Sequence, residues 1–112
     1  KNVAAVDFQY VGGGCGVKDV AYFLGSCLTS KELDLYDTEL LNYYFFQLRT
    51  ALRVRIGQVI SENELDLLEQ EWRSLYLFAC ADFTRFLLGW MPNHQKVNDY
   101  NKTKMEEALS RL

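Results

Sequence analysis

Two carboxylates flank a run of glycines near the start of this chain. Asp7 closes the apolar stretch Val3-Ala4-Ala5-Val6, and Asp19 follows the run Gly12-Gly13-Gly14-Cys15-Gly16. An aspartate at a strand end can bind Mg2+ through hard oxygens, with nucleotide phosphates and water completing the shell. The same residue type also forms turns and caps helices. Asp19 reads either as an acceptor for backbone N–H groups or as a first-turn acid favoured by the helix dipole. Spacing alone separates neither pair of readings.

The glycines suggest a phosphate loop but fail its tests. A P-loop needs Gly-Lys-Ser/Thr together, whereas Gly16-Val17-Lys18-Asp19 separates them and supplies no hydroxyl. A dinucleotide GxGxxG register lands on Val17 from Gly12 and on Asp19 from Gly14. A flexible turn is the favoured reading.

The elements that must hold these residues follow from periodicity. Val3 to Phe8 reads as a short buried strand, with Gln9-Tyr10-Val11 leading out of it. Val17, Val20, Ala21, Phe23, Leu24 and Leu28 recur at helical intervals, predicting a helix from Val17 to about Leu28. Thr29 with Glu32 offers a capping box, and Leu33-Asp34-Leu35-Tyr36 reads as a helical turn or loop. Asp37 or Thr38 then caps a long helix with Leu40, Leu41, Tyr44, Phe45, Leu48, Ala51, Leu52 and Ile56 on one face. Arg49, Arg53 and Arg55 fall largely away from that face, and Gly57 suits a terminator. Val59 and Ile60 could prolong it.

Ser61 with Glu64 is a second capping box. It opens the clearest amphipathic helix of the chain, with Leu65, Leu68, Trp72, Leu75, Tyr76, Ala79, Phe83, Phe86 and Leu87 on one face, stopped by Gly89 and Pro92. A last helix spans Tyr100 to Leu112 and uses Met105, Ala108, Leu109 and Leu112. Short connections imply antiparallel neighbours in a bundle. The fold expected is mainly α, one or two short N-terminal strands followed by a helical bundle.

Bulk properties exclude several classes. The chain has 112 residues, enough for one domain but small for a complete enzyme. Its net charge of −3 argues against a nucleic-acid backbone as partner. No apolar run approaches the ~20 residues that span a bilayer, and no signal peptide is visible, so no membrane partner is expected. Cys15, Cys27 and Cys80 share no metal spacing and read as reduced cytosolic thiols, Cys27 and Cys80 packed as small hydrophobes. The compartment expected is therefore cytoplasmic. His94 is the single histidine, which leaves little for a triad or a His-based metal site. An apolar run that begins two residues into the chain needs strand partners, so a C-terminal piece of something longer is expected.

Val-Ala-Ala-Val-Asp7-Phe8-Gln9, the glycine turn and Asp19-Val20-Ala21-Tyr22-Phe23-Leu24 together resemble the aminoglycoside phosphotransferase and choline-kinase-like superfamily of small-molecule kinases. The resemblance is to the branch with Asp-Phe-Gln where protein kinases have Asp-Phe-Gly, and it covers about residues 3–28. It implies that the chain is the C-terminal helical part of an α+β protein-kinase-like fold, residues 1–16 carrying the metal-site strand and turn and residues 17–112 the helical subdomain. It implies Asp7 as the Mg2+ ligand on the phosphates of ATP, hence also the cofactor-binding residue, and Asp19 as the structural support of the catalytic loop. The acceptor would be a hydroxyl of a small molecule.

The nucleotide lobe, the phosphate-contacting Lys and the His-x-Asp-x-x-x-x-Asn catalytic loop would lie before Lys1. This chain therefore holds no catalytic residue and should not transfer phosphate alone. Tyr43, Tyr44, Phe45, Phe46, Trp72, Tyr76 and Phe78 read as core. A few of them, with Asp34, Asp37, Glu39 or Asp82, could instead face an acceptor. Two other classes stay open: a kinase-like scaffold without catalysis, and a free-standing helical interaction domain.

Overall fold

The computed structural model describes residues 2–8, 11–55 and 59–112. Four helices follow one another: α1 (Val17–Cys27), α2 (Ser30–Arg55), α3 (Glu62–Trp90) and α4 (Asp99–Ser110). Helices α1 and α4 both pack on α3, and α2 packs on α4.

No strand occurs among the described residues, which corrects the strand expected over Val3 to Phe8. That segment lies exposed, with Val3 97% and Phe8 68% accessible. A strand is defined by its ladder, and a single apolar run has no second run in this chain to pair with. Gln9, Tyr10, Ile56 and Gly57 lie outside the described residues.

The helix starts follow local chemistry. Gly16 precedes α1 without a side-chain cap, and Asp19 supplies the acid of the first turn. Thr29 and Glu32 close the expected box: Thr29 N donates to Glu32 Oε2 at 2.8 Å and Glu32 N to Thr29 Oγ1 at 3.3 Å. That backbone bond, with the Thr29 hydroxyl, holds the Glu32 carboxyl below its ordinary range. The box starts α2 at Ser30 rather than at Asp37 or Thr38, because Leu33 is fully buried and fixes the first turn to the core. Ser61 and Glu64 form the full capping box of α3. Val59 and Ile60 do not prolong α2. Gly89 does not stop α3, which ends at Trp90, before the loop with Pro92. Asn98 caps α4 by accepting from Asn101 N at 3.0 Å.

The core gathers Val17, Ala21 and Leu24 of α1, Leu33 and Phe45 of α2, Tyr76, Ala79 and Cys80 of α3, and Tyr100 of α4. Several expected core positions lie outside it. Leu109 and Leu112 are exposed, and Tyr100, Asn101 and Ala108 form the buried face of α4 instead. Phe86 is half exposed and Cys27 exposed, whereas Cys80 is buried as expected; all three thiols are free. Asn101 is buried because its Nδ2 donates to Lys96 O at 2.8 Å and so ties the preceding loop to the helix.

Arg49 and Arg53 do leave the apolar face of α2, but they are not simply solvated. Arg49 Nη2 meets Asp66 Oδ1 at 2.6 Å and Glu62 Oε2 at 3.0 Å, and its Nη1 meets Glu69 Oε2 at 3.2 Å. Arg53 binds Glu62 through Nε and Nη2. Arg73 of α3 lies 4.6 Å above the Phe45 ring and donates to Asn42 Oδ1 at 2.8 Å. These long side chains join α2 to α3.

Gly25 marks the closest approach of α1 to α3. A methyl group there would sit 2.5 Å from one Phe83 ring carbon and 2.9 Å from another. Gly→Ala inside a helix ordinarily stabilises by up to about 1 kcal/mol. Here overpacking against Phe83, only 4% exposed, reverses the sign. Gly25→Ala should therefore lower the urea unfolding free energy by about 1–3 kcal/mol. An unchanged or raised midpoint would show that α1 can move away from Phe83 without loss.

Candidate functional site

The glycine run has two unlike halves. Gly12, Gly13 and Gly14 have open space around them, whereas a methyl group on Gly16 would lie 2.6 Å from the Tyr44 hydroxyl and 3.4 Å from the Trp72 ring. The end of the turn is thus seated against α2 and α3, and it fixes where α1 begins. Tyr44 titrates above its ordinary value, first through burial and then through the neighbouring Cys15 and Asp19. That places Asp19 beside the seat, on the exposed side of the first turn of α1.

Asp7 lies before the turn, exposed, with φ at 67°. It is the one non-glycine residue with positive φ among the described residues. Neither Asp7 nor Asp19 makes a side-chain hydrogen bond or ion pair among those residues, and no contact there joins the two. No group of three or more His, Cys, Asp or Glu side chains that could hold a metal occurs among them either. A single carboxylate oxygen remains compatible with Mg2+, which keeps several waters and takes its other ligands from phosphates.

The acids considered for an acceptor divide by environment. Asp34 and Glu39 are exposed. Asp37 accepts from the Tyr100 hydroxyl at 3.0 Å and lies 3.9 Å from Lys104 Nζ, so it braces α2 against α4. Asp82 accepts from the Tyr22 hydroxyl at 2.7 Å and from Arg85 Nη2 at 2.8 Å, with Lys18 Nζ 3.4 Å away. The Tyr22 hydrogen bond, then Arg85, holds the Asp82 carboxyl below the usual range. Of the aromatics, Phe45 and Tyr76 are buried, and Tyr43 and Phe46 are exposed.

Sequence reasoning missed two clusters. One is the Tyr22–Asp82–Lys18–Arg85 group between α1 and α3. Its local signals were the one-turn spacings of Lys18 to Tyr22 and Asp82 to Arg85, but their pairing across 60 residues had none. The other is the hydroxyl chain of Tyr76, Tyr100 and Asp37. A cavity of about 350 Å3 opens elsewhere, between the α1–α2 connection and the loop before α4, and is lined by residues such as Ser30, Lys96 and Asn98. Its lining includes neither Asp7 nor Asp19. No described helix is long and apolar enough to cross a membrane. No family model matches the chain, and no curated protein or solved structure does either.

Burial pushes the Tyr22 phenol up to about 12, aided by Asp82, and raises Tyr76 and Tyr100 further. Raised folded-state values favour the neutral phenol, so this stabilisation is complete below about pH 10, the ordinary tyrosine value, and is lost as pH rises above it. Urea unfolding followed from about pH 8 to about pH 11.5 should show a steep fall in stability above pH 10. Tyr100→Phe should cost about 1–3 kcal/mol at neutral pH, because Asp37 and Tyr76 lose a buried partner, and should flatten the alkaline fall. An equally steep fall in the variant would rule out Tyr100 as a source.

Proposed function

We propose that this chain is the C-terminal helical part of a small-molecule phosphotransferase that moves the γ-phosphate of ATP to a hydroxyl group. The observation that carries this reading is Asp7. Its carboxylate is exposed and without a partner among the described residues, on a backbone in the left-handed region. Only a few per cent of non-glycine residues adopt that conformation. Aspartate tolerates it better than most, and such residues cluster at ligand clamps and active sites.

The resemblance assigns Asp7 the role of a magnesium ligand and Asp19 that of a scaffold aspartate. Bound magnesium would neutralise charge on the β- and γ-phosphates of the donor. Within this chain, Asp7 would supply one oxygen ligand. Asp19 would offer an acceptor to the backbone of a catalytic loop elsewhere in the parent protein. The seat of Gly16 against Tyr44 and Trp72 would fix where Asp19 stands on α1. The base and the second metal-binding side chain would come from that loop, so this chain alone should show no phosphoryl transfer.

A second reading, a helical interaction domain, is favoured by one specific observation: among the described residues, four helices build the core without a sheet. The two readings differ in what Asp7 is for. With Mg2+-ATP at about 100 times its Kd, the full-length protein should gain about 2.7 kcal/mol and melt several degrees higher. Asp7→Asn, at an exposed position, should leave the ligand-free melting temperature unchanged and remove most of the ligand-induced shift. An undiminished shift in the variant would overturn the metal assignment. No shift in either protein would favour the interaction domain.

A further inference from the structure

Helix α2 carries a second apolar face that the core does not use. Leu35, Tyr36, Tyr43, Phe46 and Val54 are 63, 48, 65, 64 and 76% exposed. At 100° per residue they fall within an arc of about 100° that runs ~29 Å along the helix. Leu33 and Phe45, both fully buried, point to the other side. A helix apolar on both faces is ordinarily covered on both.

Charges on this face are arranged about its middle. Glu39 stands seven residues before Phe46 and Arg53 seven residues after it, so each lies two turns from Phe46 on nearly the same face. Glu39 is exposed and makes no hydrogen bond or ion pair among the described residues. Arg53 is 44% exposed and donates to Glu62 through Nε and Nη2, which leaves Nη1 available to a further acceptor.

We propose that this face of α2 pairs with the same face of a second copy of the chain, antiparallel about a twofold axis at Phe46. That axis sets Glu39 of each copy against Arg53 of the other, so the ion pair forms twice. It also stacks the two Phe46 side chains and brings Tyr36 within a turn of Val54 of the second copy. An acidic half followed by a basic half on one apolar stripe is self-complementary only in this orientation; parallel pairing would oppose like charges. The proposal is independent of the phosphotransferase reading.

Sedimentation equilibrium of the chain, loaded from ~5 to ~200 µM, tests it directly. The mass should rise from 13.0 kDa toward twice that value as concentration increases. Phe46→Glu should hold it at the monomer value with unchanged helical circular dichroism, since Phe46 is exposed; Tyr43→Lys serves as a second disruption. Glu39→Arg should weaken association about tenfold, because symmetry introduces the repulsion twice. Adding Arg53→Glu with Glu62→Gln, so that the new carboxylate does not face the one Arg53 now binds, should restore it. A monomer at every loading would overturn the proposal and leave the face to another chain, such as the remainder of a larger protein. Association that survives Phe46→Glu, or that the double charge exchange fails to rescue, would overturn it too. A missing Mg2+-ATP shift would change none of these outcomes.

Discussion

The arrangement depends on one hydroxyl group. Tyr100 of α4 donates to Asp37 of α2 at 3.0 Å and lies 3.0 Å from the Tyr76 hydroxyl of α3, so three helices meet at one buried oxygen. Its backbone N–H also donates to Ser30 Oγ, which binds the start of α4 to the start of α2. This matters because the close approach of α2 is to α4, while its links to α3 run through long side chains. Arg73 over the buried Phe45 holds that side together with Arg49 and Arg53, whose partners Glu62 and Asp66 are exposed. Exposed ion pairs are screened and entropically costly, so the buried hydroxyl chain carries more of the orientation than its small size suggests. Every described buried side-chain nitrogen or oxygen has a hydrogen-bond partner, which is what makes a polar core junction tolerable.

Much of the helical frame was legible because it is set locally. Thr29 with Glu32, Ser61 with Glu64, and the 3.6-residue period of α3 need no information from elsewhere in the chain. The errors have a common cause in tertiary choice. Asp37 looks like a helix cap in sequence, but it sits inside α2, which the Thr29–Glu32 box starts at Ser30, and its carboxylate accepts from Tyr100, 63 residues away. Leu109 and Leu112 look like core, but the stripe of α4 that meets α3 is the one with Tyr100, Asn101 and Ala108. The strand over Val3 to Phe8 had the right composition and no pairing partner, and composition does not supply a ladder.

The candidate site divides along the same line. Asp7 and Asp19 could be picked out by type and spacing, and both are exposed carboxylates on either side of the glycine turn. The environment of Asp19 could not be read, since the turn before it is seated on Tyr44 and Trp72 from two other helices. Nor could the backbone of Asp7 be anticipated, because left-handed geometry at a non-glycine residue leaves little trace in composition. Asp82 shows the opposite case. It was singled out as a possible contact for a ligand, yet Tyr22, Arg85 and Lys18 already engage it, so binding a cation there would first have to displace three donors. Its lowered carboxyl range therefore reflects internal pairing rather than readiness for a substrate.

Two surfaces of this chain remain unpartnered, and they differ in kind. The N-terminal segment exposes Val3, Val6 and Phe8 outside any helix, with Asp7 between the last two in the left-handed region. The outer face of α2 has its backbone bonds satisfied within the helix, so only side chains are left to recognise a partner. The backbone of the segment makes no hydrogen bond among the described residues, so its N–H and C=O groups are left to water or another chain, whereas the stripe asks only for apolar cover. The two surfaces would thus be recognised by different means, backbone pairing for the segment and side-chain packing for the stripe. A chain of this size buries only about two thirds of the surface it exposes when unfolded, so some apolar surface ordinarily stays in contact with water.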